Sequence, residues 1–141
     1  MFLGEYGHRI DPKGRVAIPS RFREDFREGL VLTRGVEKCL VAYPLSEWRK
    51  LAEGLASLPA TRLKSRRVSR FIFGNAFSLE LDRLGRILLP LPLRQYAGIR
   101  EGVVIVGVNN YVEIWDRELW EEEKALMSQQ AGQLLEGIEV R

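Results

Sequence analysis

Apolar positions along the chain recur mostly with a period of two, in runs short enough to be brief strands. Residues 6–10 and 15–18 alternate in this way around Asp11-Pro12-Lys13-Gly14. Pro12 suits the first central position of a turn and Gly14 tolerates positive φ, so the pattern predicts a tight β-hairpin. Pro19 ends the second strand and opens a helix with Phe22 and Phe26 on its inner face and Gly29 as its stop. Two more strands are predicted over 30–33 and 39–43, joined by a polar turn around Arg34, Gly35, Val36 and Glu37. Trp48, Leu51 and Leu55 share one face of a helix over 44–55. Residues 60–73 read as a basic amphipathic helix with Leu63, Val68, Phe71 and Ile72 as its apolar contacts, ended by Gly74. Phe71, Ile72, Phe73 and Phe77 are expected in the core. The programme then starts again, with a strand over 78–82, a turn over 83–85, a strand over 86–89 and a helix over 91–97 closed by Gly98. Strands over 103–108 and 111–115 flank Asn109-Asn110, and Asp116 is placed to cap a last helix carrying Leu119, Trp120 and Leu126. Periodicity weakens beyond Ser128, where the chain is expected to fray. The class is α+β, built mostly from short β-strands.

The restart is a true internal repeat. HRIDPKGRVAIPSRFR at 8–23 aligns with LELDRLGRILLPLPLR at 79–94, setting Asp11 on Asp82, Gly14 on Gly85, Arg15 on Arg86, Pro19 on Pro90 and Arg23 on Arg94. A repeat of this kind decides the architecture, because one copy alone buries too little apolar surface to stand by itself. The expected organisation is a first repeat over 1–58, a basic linker helix over 59–75, a second repeat over 76–123 and a C-terminal helix and tail over 124–141.

Charge sharpens the picture more by placement than by sum. Lys and Arg number 22 against 19 Asp and Glu, a net of +3. Arg62, Lys64, Arg66, Arg67 and Arg70 crowd one segment, while Glu118, Glu121, Glu122 and Glu123 gather near the end. That basic run fits a structural or interface face, such as one pairing with the acids at 118–123 of a neighbouring copy. Basic residues also surround both predicted turns: His8, Arg9, Lys13, Arg15, Arg21 and Arg23 at the first, Arg83, Arg86 and Arg94 at the second. A purely structural account of each Asp-x-x-Gly-Arg element has Asp and Gly forming the turn and Arg balancing Asp. The surrounding positive charge supports a further role. A two-stranded ribbon fits the DNA major groove, arginine offers a planar fork of donors, and a neighbouring carboxylate fixes its rotamer. Two such ribbons per chain would repeat the contact and steepen the salt dependence.

GEYGHRIDPKGRVAIPSRFR, LDRLGRILLPLPLR and VEIWDRELW together resemble the MraZ family of bacterial transcriptional regulators, within the AbrB-like group. The resemblance implies two tandem AbrB-like βαββα units forming one pseudo-two-fold swapped-hairpin (double-split) β-barrel. It implies a DNA-binding regulator, usually a repressor, that binds short direct repeats upstream of the cell division and cell wall gene cluster containing its own gene. It further implies ring-shaped homo-oligomers and association with the nucleoid. The family's DNA-contacting motif carries over to Asp11 with Arg15 and to Asp82 with Arg86. Lys13 and Arg83 join them by position in the turns, and His8 and Arg9 by adjacency.

Other chemistries find little support. One histidine, His8, and one cysteine, Cys39, exclude a histidine–cysteine metal cluster and an internal disulfide, so no cofactor or metal is expected. Cys39 beside Leu40 and Val41 reads as a small buried side chain, and Trp48, Trp115 and Trp120 as packing residues. Nucleophile-elbow, Walker A and Rossmann signatures are absent, so enzyme activity and a small-molecule substrate are not expected. Without a leader or a long apolar run, the expected location is the cytoplasm. The rival reading is a protein-interaction module of the same fold, antitoxin-like, with purely structural hairpins.

Overall fold

The computed structural model describes residues 1–138. Its elements are β1 (Glu5–Arg9), β2 (Arg15–Ala17), β3 (Leu30–Arg34), β4 (Leu40–Pro44), α1 (Leu45–Ala56), α2 (Leu63–Phe73), β5 (Phe77–Leu79), β6 (Arg86–Leu88), α3 (Leu91–Ala97), β7 (Gly102–Gly107), β8 (Val112–Asp116) and α4 (Arg117–Glu136). Six strands form an antiparallel sheet in the order β1-β7-β8-β4-β3-β5, and β2 pairs with β6 in a separate two-stranded ribbon. Among the described residues the six-stranded sheet stays open, with β1 and β5 at its edges.

The order of the sheet reads the same from both ends once the copies are interchanged. β1 of the first copy lies on β7 of the second, β5 of the second lies on β3 of the first, and β4 meets β8 at the centre. Strand exchange follows from the burial problem of a half-unit. Neither copy can cover its own apolar face, so each supplies strands to the other. The shared core confirms this: Val16, Ile18, Phe22, Phe26, Leu30, Leu32, Leu40 and Ala42 from the first copy pack with Ile87, Leu89, Leu93, Ala97, Val103, Ile105, Val112 and Ile114 from the second. Cys39, Val104, Trp115 and Trp120 form a second cluster with Leu119 of α4.

The predicted hairpins are corrected by this exchange. β1 and β2 do not pair with each other, nor do β5 and β6. The Asp11–Gly14 turn closes as expected, but the chain leaves it toward β6, and a single ribbon replaces the two expected. Arg15 opposes Leu88, Val16 opposes Ile87 and Ala17 opposes Arg86. Two-residue periodicity identifies a strand but says nothing about its partner.

Smaller corrections follow from burial. The segment after Pro19 forms two 3-10 turns, Ser20–Phe22 and Glu24–Phe26, which still bury both phenylalanines. The strand expected over 78–82 is confined to Phe77–Leu79. Phe73 and Phe77 are exposed and Phe71 and Ile72 only half-buried, so these four are not core. Trp48 is half-buried, packing on Tyr43 and Phe73 with ring centroids 5.8 and 5.6 Å away. α4 continues past Ser128 to Glu136, and Leu126 lies on its exposed surface. Residues 139–141 of the expected tail lie outside the described residues. Asp116 caps α4, accepting from the Leu119 N–H at 3.4 Å, and Gly98 ends α3 with φ 64°.

Candidate nucleic-acid interface

Each turn that carries an Asp–Arg pair is built by its own backbone. The Asp11 N–H donates to the Arg15 carbonyl and the Gly14 N–H to the Asp11 carbonyl, both at 2.9 Å. In the second copy the Asp82 N–H donates to the Arg86 carbonyl at 2.9 Å and the Gly85 N–H to the Asp82 carbonyl at 3.0 Å. Gly14 and Gly85 hold φ of 87° and 76°, a region that side chains other than glycine seldom enter.

The carboxylate completes the turn and then fixes the arginine. Asp11 Oδ1 accepts from the N–H groups of Lys13 and Arg15 at 2.9 and 2.8 Å, and its Oδ2 accepts from Arg15 Nε at 2.6 Å. Asp82 Oδ1 accepts from the N–H groups of Leu84 and Arg86, both at 2.9 Å, and its Oδ2 from Arg86 Nε at 2.8 Å. The backbone N–H of Arg15, followed by its guanidinium, holds the Asp11 carboxyl below the usual carboxylate range, and Arg86 does the same for Asp82. Both carboxyls are therefore ionised at neutral pH. Because each Asp engages Nε, the terminal amino groups of the guanidinium remain for an external acceptor, and that pair of donors matches phosphate or a guanine edge.

The ribbon brings the two pairs together. Val16 and Ile87 face the core, fully buried, so Arg15, Ala17, Arg86 and Leu88 share the outer face. Arg86 Nη1 approaches Asp11 Oδ2 at 3.9 Å, so the first copy's carboxylate lies beside both guanidinium groups. Further bonds lock the copies in register, from the Ile18 N–H to the Gly85 carbonyl and from the Leu89 N–H to the Gly14 carbonyl, each at 2.9 Å.

The remaining candidates divide. Lys13 and Arg83 are exposed in the turns, although Lys13 is the counterpart of Leu84 and Arg83 of Pro12. His8 is half-buried on β1; burial, then the charge of Arg23, pushes its pKa down, leaving it neutral at pH 7. Arg9 lies on the other face of β1, in an exposed ion pair with Glu101 at 3.2 Å. Arg23 and Arg94, expected beside the turns of their own copies, are placed across the exchange. A methyl group on Gly85 would collide with the Arg23 guanidinium, and one on Gly14 would sit 3.0 Å from Arg94 Cζ, so each copy's arginine covers the other copy's turn. Arg23 is held there by its Nε–H bond to the Ile18 carbonyl at 2.9 Å. The signal was present in the alignment of Arg23 with Arg94, but their targets lie across the exchange.

Other chemistry is sparse. Among the described residues no group of three or more His, Cys, Asp or Glu is placed to hold a metal ion, and no helix is long and apolar enough to cross a membrane. Cys39 is buried and unpaired, and burial, with Glu113 nearby, pushes its thiol pKa far up, making it unreactive. A groove of about 670 Å³ between α2 and the sheet shares no residue with the ribbon.

Comparison with known proteins shows which family this doubled, strand-exchanged chain belongs to. A family model described as "MraZ protein, putative antitoxin-like" matches residues 1–71 and again 72–132. Two proteins of Dehalococcoides mccartyi, from strains BAV1 and 195, are 48% and 47% identical to the chain over 140 residues, covering 99% of both partners in each case. Both are named "Transcriptional regulator MraZ". The chain belongs to the MraZ family, and with it to the transcriptional regulators.

Proposed function

We propose that this protein is a sequence-specific DNA-binding regulator that reads the major groove through the β2–β6 ribbon. The observation that carries the reading is the convergence of two carboxylate-fixed arginines on the outer face of one ribbon, where their side chains remain 31% and 27% exposed. Diagonal neighbours on such a ribbon lie about 7–8 Å apart, roughly two base-pair steps along a strand. Arg15 and Arg86 contact the duplex, Asp11 and Asp82 orient them, and Lys13 and Arg83 add charge at the turns. Arg9 and His8 are secondary, since one is paired with Glu101 and the other is neutral.

The reading extends to the family's finer properties. Strand exchange supports the swapped-hairpin, double-split architecture, with repeats at 1–58 and 76–123 joined by the basic segment 59–75 and followed by the C-terminal segment 124–141. The protein acts as a repressor in the cytoplasm, nucleoid-associated, at short direct repeats upstream of the cell division and cell wall gene cluster that holds its own gene. A ring-shaped homo-oligomer aligns several ribbons, so affinity rises with the number of DNA repeats engaged together. No cofactor is needed.

The test is fluorescence anisotropy with a labelled fragment from upstream of its own gene and a scrambled control, at several salt concentrations. The expected result is a preference for the upstream fragment that falls about 10- to 100-fold in Arg15→Ala and in Arg86→Ala. Equal, weak binding to both fragments, unchanged in the variants, would favour the antitoxin-like module and turn the search to protein partners.

A further inference from the structure

The outward positions on the ribbon, its turns and the segments that follow it are not symmetric. Where the first copy has Lys13, Ala17 and Ser20, the second has Leu84, Leu88 and Leu91. All three leucines are solvent-exposed, Leu84 at 63% and Leu88 and Leu91 at 55% each. Leu88 lies directly across from Arg15 on the face that carries both guanidinium groups, and Leu84 occupies the second turn beside Arg83. Single exposed leucines are ordinary, but large apolar groups set among arginines and a lysine on one ribbon mark a surface that meets something both anionic and locally apolar. The DNA major groove is such a surface. Its walls are phosphate, and the one apolar group on its floor is the 5-methyl of thymine.

We infer that Leu88, with Leu84, packs on thymine 5-methyl groups, so that the second copy supplies apolar readout beside the polar readout of the arginines. The inference rests on the DNA-binding reading above. The ribbon then has a direction: its first half, with Ala17 and Lys13, reads through Arg15, and its second half adds thymine selection to the contact of Arg86. Withdrawing one methyl group from water against a leucine is equivalent to about a fourfold gain in affinity.

The test compares the upstream fragment with the same fragment carrying deoxyuridine in place of every thymidine, which removes the methyl groups and leaves the hydrogen-bonding edges intact. The wild-type protein is expected to bind the thymidine fragment at least about fourfold more tightly. Leu88→Ala reduces that ratio toward one, Leu84→Ala reduces it in part, and Arg15→Ala weakens both fragments while preserving it. Equal wild-type affinity for the two fragments, with preference over the scrambled control intact, overturns the thymine inference and leaves the DNA reading standing. Loss of any preference over the scrambled control overturns both. A Leu88→Ala variant that keeps the thymidine–deoxyuridine ratio but changes particle size in light scattering also overturns it, assigning the leucines to a protein contact.

Discussion

In the first turn Asp11 draws in the N–H groups of Lys13 and Arg15 and clamps Arg15 Nε; in the second, Asp82 treats Leu84 and Arg86 in the same way, with matching lengths within 0.2 Å. The surroundings are less alike. Asp11 also reaches toward Arg86, whereas among the described residues Asp82 makes no ion pair with Arg15. Arg23 presses on Gly85 more closely than Arg94 presses on Gly14. The outward positions are polar or small in one copy and leucine in the other. Two turns that share a backbone device thus present different faces. The Asp–Gly turn fixes where an arginine stands, while the residues around it are free to set what each half of the ribbon meets.

The sharpest way to break this comparison is to cut into the shared floor. Ile87→Ala should cost about 3 kcal/mol and Val16→Ala about 2 kcal/mol, read by urea unfolding, because both side chains are fully buried and differ in volume. A ribbon that is only loosely attached would give under about 0.5 kcal/mol for each. Next comes the cover over each turn. Both Gly→Ala changes meet the positive-φ penalty of about 1–2 kcal/mol, but Gly85→Ala must in addition displace Arg23 from the Ile18 carbonyl. Gly85→Ala is therefore the more destabilising by about 1 kcal/mol in the same assay, and equal costs would remove the asymmetry.

The carboxylates offer a finer contrast. Asp11→Asn should weaken DNA binding about tenfold and Asp82→Asn about threefold, since Asp11 lies beside both guanidinium groups. Circular dichroism checks that both variants remain folded. The smallest effect is on pH. His8 has its pKa lowered in the folded state by burial and by Arg23, so the unfolded chain binds its proton more readily. Its contribution is complete above the unfolded value near 6.5 and is lost as pH falls through that value toward the folded one. The second copy has Leu79 at this position, so the slope belongs to the first copy alone. Thermal unfolding between pH 7.5 and 5 should show a decline that is smaller in His8→Gln.

Much of the local structure was legible in the sequence because its signals are local. Asp11-Pro12-Lys13-Gly14 specifies a turn within four residues, Gly98 ends α3 in the left-handed region, and Asp116 caps α4. The aligned halves imply the pseudo-two-fold from the sequence alone. Strand partnership was not legible. Arg15–Ala17 is only three residues long, and its partner lies in the other copy, a pairing that no period-two pattern encodes. The same gap hid which turn Arg23 and Arg94 cover, because their neighbours are set by the exchange and not by sequence proximity. The exposure of Phe73 and Phe77 was missed because apolar composition reports a tendency to be buried, not whether a neighbour is there to bury it.

Whether both copies' Asp–Arg pairs act as one reading element is decided by a double-mutant cycle. Affinities for the upstream fragment are measured for wild type, Arg15→Ala, Arg86→Ala and the double variant at one salt concentration. The account predicts coupling, with the double variant losing clearly less than the product of the single losses, because removing either arginine already disengages the ribbon. A double loss equal to that product, within about 0.5 kcal/mol, would contradict it and return the two turns to independent roles.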